Sequence, residues 1–357
     1  MTVNLTARVG ADYATKILTF NMQNGRASKT DVYSSMTASL TIQSGGLPAS
    51  WVLGALVNVL LDGTVIQSGY ITNIDYRYEF VSATDTYTVS LEGYLSFFGR
   101  TVLTNFTMTN QTTGATGNSI ASSISGTGKT IQNYGTKSYV DTSTYSGAAQ
   151  NLITSLVAME QGRLDDYGTY LRFLGRDEIY ADWSEPWAPI FPTYYFADDG
   201  TTGYNQYDSI LFSAMSDNYF TYTQIQPASV ATQVAGSGSR TLSLSTYDIS
   251  TTQAQNLANY TLAEFDAGSS VPVQISLVSS QVKMTGFVDM LAYYRIGTRC
   301  EIKFRGNVYN CVVEGFTISG TPQQMRYTFS LSGFEQNNFL VWDDPVYGYW
   351  DQDNWTF

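Results

Sequence analysis

Apolar and polar positions alternate with a period of two along most of this chain, as they do in strands with one buried face. Met36-Thr37-Ala38-Ser39-Leu40-Thr41-Ile42 is the clearest case, and Lys16–Phe20 precedes it. Asn24-Gly25 predicts a turn between the two, and Gly45-Gly46 with Pro48 ends the second. Val57–Leu61, the dipeptide Asp62-Gly63 and Val65–Ile74 predict a hairpin, because Asp-Gly suits the left-handed backbone of a two-residue turn. Tyr87–Leu91 adds a further strand. The set is large enough to close a small barrel or sandwich.

Part of this pattern occurs twice. Tyr87-Thr88-Val89-Ser90-Leu91-Glu92-Gly93-Tyr94 returns as Tyr327-Thr328-Phe329-Ser330-Leu331-Ser332-Gly333-Phe334, with five of eight positions identical. Upstream, Asn58-Val59-Leu60-Leu61-Asp62-Gly63-Thr64-Val65 has a counterpart in Glu301-Ile302-Lys303-Phe304-Arg305-Gly306-Asn307-Val308. The turn glycine and the tyrosine are 24 residues apart in the first copy (63 to 87) and 21 in the second (306 to 327). One β unit is therefore expected twice, with a longer Asp75–Asp85 excursion in the first copy.

Between the copies the period changes. Residues 104–146 are crowded with Thr, Ser, Asn and Gly, and read as long loops with a short helix at Asn118–Ile124. Ala149, Leu152, Ile153, Leu156 and Val157 form a helical stripe within Ala148–Glu160, which Gly162 is expected to stop in the C′ position. Arg163–Phe173 reads as a hairpin turning at Tyr167-Gly168. The Pro- and aromatic-rich residues 183–200 read as an interdomain connection. Strands follow at Ile210–Phe212, Tyr219–Ile225 and Arg240–Leu244, then a helix over Thr251–Phe265 with Ser250 as its N-cap. Val271–Val278, Cys300–Phe304, Val308–Thr317 and Arg326–Leu331 complete the second unit, and residues 337–357 form an aromatic tail. The fold class is mainly β (α+β): two tube-like antiparallel β-barrel domains, 1–105 and 191–336, with a small inserted α/β domain over 106–190.

Composition narrows the function. Only 13% of the 357 residues are charged and 14% are aromatic, which suits a protein that buries much of its surface in an assembly. The net charge of −12 and the absence of a Lys/Arg cluster remove the electrostatic footprint of a nucleic-acid binder. No basic region with a following apolar run opens the chain, and the apolar run near Trp51–Leu61 is too short to span a bilayer.

Chemistry is mostly missing. There is no histidine, so no Ser-His-Asp or Cys-His triad can form. The doublets Asp165-Asp166, Asp198-Asp199 and Asp343-Asp344 read as turn residues in solvated loops rather than as catalytic or metal-binding pairs. Asp351-Gln352-Asp353-Asn354 lacks the glycine and distal glutamate of a calcium loop. Gly236-Ser237-Gly238-Ser239 follows no phosphate-loop pattern, and the five Asn-x-Thr triplets, at Asn4, Asn105, Asn110, Asn259 and Asn354, are expected by chance. Cys300 and Cys311 should face each other across the Arg305-Gly306 turn, as a cross-strand disulfide or as two half-buried thiols, the latter favoured if the chain assembles in a reducing cytosol. No catalytic, cofactor-binding or metal residue is expected.

The order of several segments resembles the baseplate hub or tail-tip minor tail proteins of tailed bacteriophages. The segments are Asp62-Gly63, Ser68–Ile71 and Tyr87–Leu95 with Arg100, then Ala148–Phe173, Arg240–Leu244 with the Gln253–Phe265 helix, Ile296–Ile302, Val313–Ile318 and Asp343–Asp351. The resemblance implies a homotrimer at the virion tail tip, assembled in the host bacterial cytoplasm. Its partners would be a tail tube or distal tail protein, a central tip or spike/fibre protein and the tape measure protein. DNA would pass through without specific binding, and no stable membrane insertion is implied. Three chains with two similar barrels would form a ring of six that adapts a sixfold tube to a threefold tip. Two other functions compete on sequence alone: a receptor- or glycan-binding tail protein using Tyr and Trp, and an enzyme on cell-wall glycan, which lacks a carboxylate pair in a cleft.

Overall fold

A computed structural model describes residues 4–14, 16–29, 31–78, 85–124, 130–134, 136, 138–176, 194–197, 209–213, 222–227, 232–234, 241–247, 252–254, 256–257, 271–280 and 284–333. The protein is mainly β, and a large, predominantly antiparallel sheet dominates it, with thirteen strands among the described residues.

The first unit comprises β1 (Leu5–Val9), β2 (Asp12–Tyr13), β3 (Ile17–Gly25), β4 (Ser34–Ser44), β5 (Leu56–Leu61), β6 (Thr64–Arg77) and β7 (Asp85–Glu92). The inserted segment holds α1 (Leu95–Arg100), β8 (Val102–Met108), β9 (Gln111–Thr112), α2 (Thr113–Ser123), β10 (Ile131–Tyr134), β11 (Tyr139–Val140), β12 (Ser143–Ala148), α3 (Ala149–Met159), β13 (Arg163–Asp166) and β14 (Leu171–Leu174). The second unit has β15 (Tyr194–Ala197) and β16 (Ser209–Ser213), a separate three-stranded sheet of β17 (Tyr222–Pro227), β18 (Thr232–Val234) and β19 (Thr241–Thr246), then β20 (Val271–Val278). A short helix Met284–Asp289 with a π-helical turn Met290–Tyr294 leads to β21 (Arg299–Phe304), β22 (Asn307–Thr321) and β23 (Gln324–Gly333).

The two units share one wiring. The first pairs its strands in the order β3-β4-β7-β6-β5-β1, and the second in the order β16-β20-β23-β22-β21-β15. Each strand thus has a counterpart in both chain order and sheet order. The repeated octapeptide supplies β7 and β23, and Leu40↔Val89 matches Ile275↔Phe329. Val89, Leu91, Phe329 and Leu331 are buried by the alternation that predicted them. Both turn dipeptides, Asp62-Gly63 and Arg305-Gly306, have positive φ at both residues, as the sequence required. The last strand differs: β1 runs antiparallel to β5, whereas β15 runs parallel to β21.

Both units also carry a β-bulge at the same place. Register shifts between Ile71 and Asn73 in β6, and between Val313 and Gly315 in β22, leaving Thr72 and Glu314 as the extra residues. A bulge bends its strand and re-aims one side chain. The units then join edge to edge: β3 lies antiparallel on β22, from Gly25↔Gly315 to Phe20↔Gly320. Asn24-Gly25 is therefore no turn. It ends β3 at the junction, where Asn24 is buried.

The insert is more regular than its composition suggests. The stretch read as loops contains β8 paired with β12, and its helix runs over Thr113–Ser123 rather than Asn118–Ile124 because the Thr112 hydroxyl caps the Ala115 N–H. In α3 the predicted stripe Leu152, Ile153, Leu156 and Val157 is buried, each side chain contributing about 1.5–3 kcal/mol. Its stop is one residue earlier than expected. Gln161, at φ 49°, takes the left-handed position, and the Gly162 N–H donates to Val157 O at 3.0 Å. Most of the connection 183–200, most of the Thr251–Phe265 helix with its Ser250 cap, and the tail 337–357 lie outside the described residues. Of that helix, Ala254 and Leu257 are buried.

Gly63 and Gly306 test the duplication. Each has φ above 80° and open space where a Cβ would sit, so alanine there meets only backbone strain. Gly63→Ala and Gly306→Ala should each destabilise by about 1 kcal/mol, and by the same amount within error in urea melts.

Candidate functional site

Charged side chains are scarce in this sequence, yet six of them lie buried, and a seventh, Arg26, nearly so, where the two units and the insert meet. The hairpin β13–β14 carries four of them: Arg163, Asp165, Asp166 and Arg172. Both strands are buried throughout, so their polar groups must find partners inside the protein.

The Glu314 carboxylate sits at the β22 bulge and is fully buried. Arg163 of the insert forks onto Oε1 through Nε (3.0 Å) and Nη2 (2.5 Å). Arg26, just past β3, forks onto Oε2 through Nε (2.9 Å) and Nη2 (2.8 Å). Ser332 Oγ donates to Oε1 as well. One carboxylate thereby ties the first unit, the insert and the second unit together. Burial opposes its charge, but the two guanidinium groups and Ser332 prevail and hold it well below the usual carboxylate range. Tyr33 lies under the Arg26 guanidinium, 4.5 Å from its ring centroid, and burial pushes its phenol up.

Asp165 makes a second knot. Its Oδ1 accepts from Asn24 Nδ2 at 2.8 Å and lies 3.0 Å from Arg295 Nη2, while Oδ2 lies 3.2 Å from Arg172 Nη2. Arg172 also donates to Tyr293 O and Ile296 O, and Arg295 to Asp166 O, at 2.8–3.0 Å. The Arg295 guanidinium stacks over Tyr167 at 4.2 Å. These bonds bind the hairpin to the turn that follows the π-helical segment of the second unit.

Asp166 makes the third. Its Oδ1 accepts the N–H of Tyr94 (2.7 Å) and Gly168 (2.9 Å), and its Oδ2 those of Leu95 (3.0 Å) and Met36 (3.3 Å). It caps α1 from 71 residues away, since Tyr94 at the N-cap offers no side-chain acceptor. Burial pushes this carboxyl up, against the four N–H groups that pull it down. A Cβ at Gly93 would fall 2.2 Å from Asp166 Oδ2, which is why the seventh position of the first octapeptide is a glycine.

The doublet Asp165-Asp166, read from sequence as solvated turn residues, is thus buried at the centre of the molecule. The acidic doublet reading failed because the turn lies one step later, at Tyr167–Tyr170, and that turn is pressed against β6. Asp198-Asp199, Asp343-Asp344, Asp351–Asn354 and Gly236–Ser239 lie outside the described residues. Cys300 and Cys311 are directly opposite in register, as expected, and are free buried thiols. Burial raises both, Cys311 to about 12. Sequence reasoning missed Asn24, Arg26, Arg295 and Glu314. Their signal was charge or amide inside otherwise apolar strands and turns. Every carboxylate of the cluster is engaged by guanidinium or backbone N–H groups, so the arrangement clamps three segments and offers no free acid or base.

No protein-family model matches this sequence, and no curated protein matches it. Solved structures do match its fold. A tail protein from Neisseria meningitidis MC58 superposes with a TM-score of 0.64 at 12% identity, over 93% of this chain and 96% of that one. The 43 kDa tail protein of prophage MuSo2 from Shewanella oneidensis gives 0.62 at 11% identity, over 93% and 98%. An E. coli type VI secretion component, described as structurally similar to the T4 bacteriophage tail proteins gp27 and gp5, gives 0.52 at 12% identity, over 93% and 77%. The chain has the fold of these tail proteins.

Glu314→Gln keeps the shape of the side chain and leaves two buried guanidinium groups without their counter-charge, so it should destabilise by about 3–5 kcal/mol at pH 7. Because the folded pKa of Glu314 is depressed, its contribution is complete above the ordinary value of 4.5 and is lost as the pH falls through the folded value. The gap between wild type and variant in denaturant melts should therefore narrow from pH 7 to pH 3. Asp166 is common to both proteins and cancels in that difference.

Proposed function

We propose that this protein is a structural component of a bacteriophage tail tip, a trimeric hub ring. Three copies would present six similar β units to a hexameric tail tube or distal tail protein. The opposite side would keep threefold symmetry for a central tip, spike or fibre protein, and DNA would leave through the middle. The observation that carries this reading is the duplication itself: two units of matched strand order, fused edge to edge through β3 and β22 in one chain. A chain with two near-equivalent units is what a threefold body needs to meet a sixfold one.

Two further observations support it. The fold is that of phage tail proteins over almost the whole chain. The net charge of −12 disfavours adhesion of DNA moving past it. The buried cluster acts as structure, holding the two units at one fixed angle, and the chain is read as non-enzymatic. In this reading it is placed in the virion tail after assembly in the host cytoplasm.

Native mass spectrometry of the purified protein, alone and with its tail tube protein, tests the proposal. Three chain masses per particle are expected, and a map of the intact tail should show the chain around the axis. A monomer that never joins a tube protein, or a chain found at the tail periphery, overturns it.

A further inference from the structure

Among the described residues the β3–β22 junction occurs once, and both halves of a second such junction are present without a partner strand. On one edge β22 takes two neighbours in turn: β21 against Asn307–Val312, then β3 against Gly315–Gly320. Its counterpart β6 takes β5 against Thr64–Tyr70. Beyond the Thr72 bulge, β6 pairs only with β7 among the described residues. At the other end of the sheet β16, the counterpart of β3, pairs only with β20 among the described residues. The unused stretch of β6 carries Asn73, Asp75 and Tyr76 exposed, the last by 70%.

We infer that Asn73–Tyr76 of β6 is the docking edge for β16 of a second copy of this chain, in antiparallel register with Tyr76 opposite Phe212. The register follows from the duplication. Ile74↔Val89 matches Phe316↔Phe329, so Tyr76 stands where Ile318 stands. Ile210↔Ile275 matches Phe20↔Leu40, and the register shift that follows places its extra residue, Val273, in β20, so counting along β16 itself sets Phe212, two residues past Ile210, where Met22 stands, two past Phe20. Within the chain Met22 faces Ile318, and the same pairing between copies sets Phe212 against Tyr76. The occupant is a second copy because the two complementary edges lie towards opposite ends of one sheet. Such a contact is heterologous, and it ends only by closing into a ring. The inference rests on the ring reading above and gives it a residue-level interface.

The two junctions are not equal. Within the chain, the bulge residue Glu314 grips Arg26 and Arg163, and the insert hairpin covers the site. At the docking edge the bulge residue is Thr72, whose hydroxyl donates to Ser90 O of its own unit at 3.3 Å. The contact between copies then consists of main-chain hydrogen bonds beside Ile74, Tyr76 and the mutually bonded Asn73 and Asp75, with no carboxylate at its bulge. Such a ring comes apart between copies, never within one.

The test uses the full chain carrying Tyr76→Cys together with Phe212→Cys. Directly opposed strand positions lie within disulfide reach. Under mild oxidation, non-reducing gels should show a ladder of linked species ending at the trimer, with neither single variant nor wild type giving it. An assembly of trimer mass in which the double variant does not cross-link overturns the junction but leaves the ring. A wild-type protein that stays monomeric with its tube protein overturns the ring itself. Should the double variant not fold, hydrogen exchange on wild type decides: segments 73–77 and 209–213 should gain protection on assembly. Equal exchange in both states overturns the proposal.

Discussion

The structure depends on one constraint: the tip of the β13–β14 hairpin carries two carboxylates into the interior, and every element around it must supply a partner. Removing a carboxylate or a guanidinium from water costs several kcal/mol per ion, and attraction offsets this only if the geometry is close to ideal. Asp165 therefore requires Asn24, Arg172 and Arg295 where they are, and Glu314 requires Arg26 and Arg163. These residues come from β3, the insert and both sides of the second unit. Shifting any one of the three segments would strand charges in the others. Apolar packing alone would tolerate small slips between the units, because it has no direction. The ion cluster does not tolerate them, so it fixes register as well as contributing contact.

Duplication supplied the frame, and the bulge made the copies differ. Both units have the extra residue in the same strand at the same step, and a bulge leaves that residue outside the ladder. In the first copy the position holds Thr72, bonded within its own sheet. In the second it holds Glu314, which ties three segments together. The same divergence appears along the hairpin cores, where Val57 and Gly69 of the first unit correspond to Cys300 and Cys311 of the second. One backbone plan thus carries a plain unit and a specialised one.

The sequence showed the plan better than the lock. Period-two alternation and two turn glycines revealed the repeat, because both are local signals. The Leu152–Val157 stripe revealed α3 for the same reason. β8 and β12 were hidden because Thr, Ser, Asn and Gly break the alternation that marks a strand, and Gln161 took a position that favours glycine. The cluster was hidden more deeply. Asp165-Asp166 before Tyr167-Gly168 has the local chemistry of a solvated turn, and nothing local says otherwise. Arg295 and Glu314 lie more than 120 residues further on. Only the three-dimensional fold brings them to the hairpin. One hint was available: in a chain with so few charges, an arginine or glutamate inside an apolar strand is costly and needs a partner.

A ring of six similar units requires the same turn at every junction. In a threefold assembly of double units, three junctions lie within chains and three between them. If the inner junctions could flex, the angle error would accumulate around the ring and the outer three could not close together. Fixing the inner angle with a directional ion cluster would remove that freedom before assembly begins. In the proposed ring the outer junctions would then need only main-chain pairing along two short edges, without an ion cluster of their own. The cost of desolvating the ion cluster falls on the folding of each chain, where effective concentration is highest, and association between chains would be left with the contact that carries the smaller desolvation penalty.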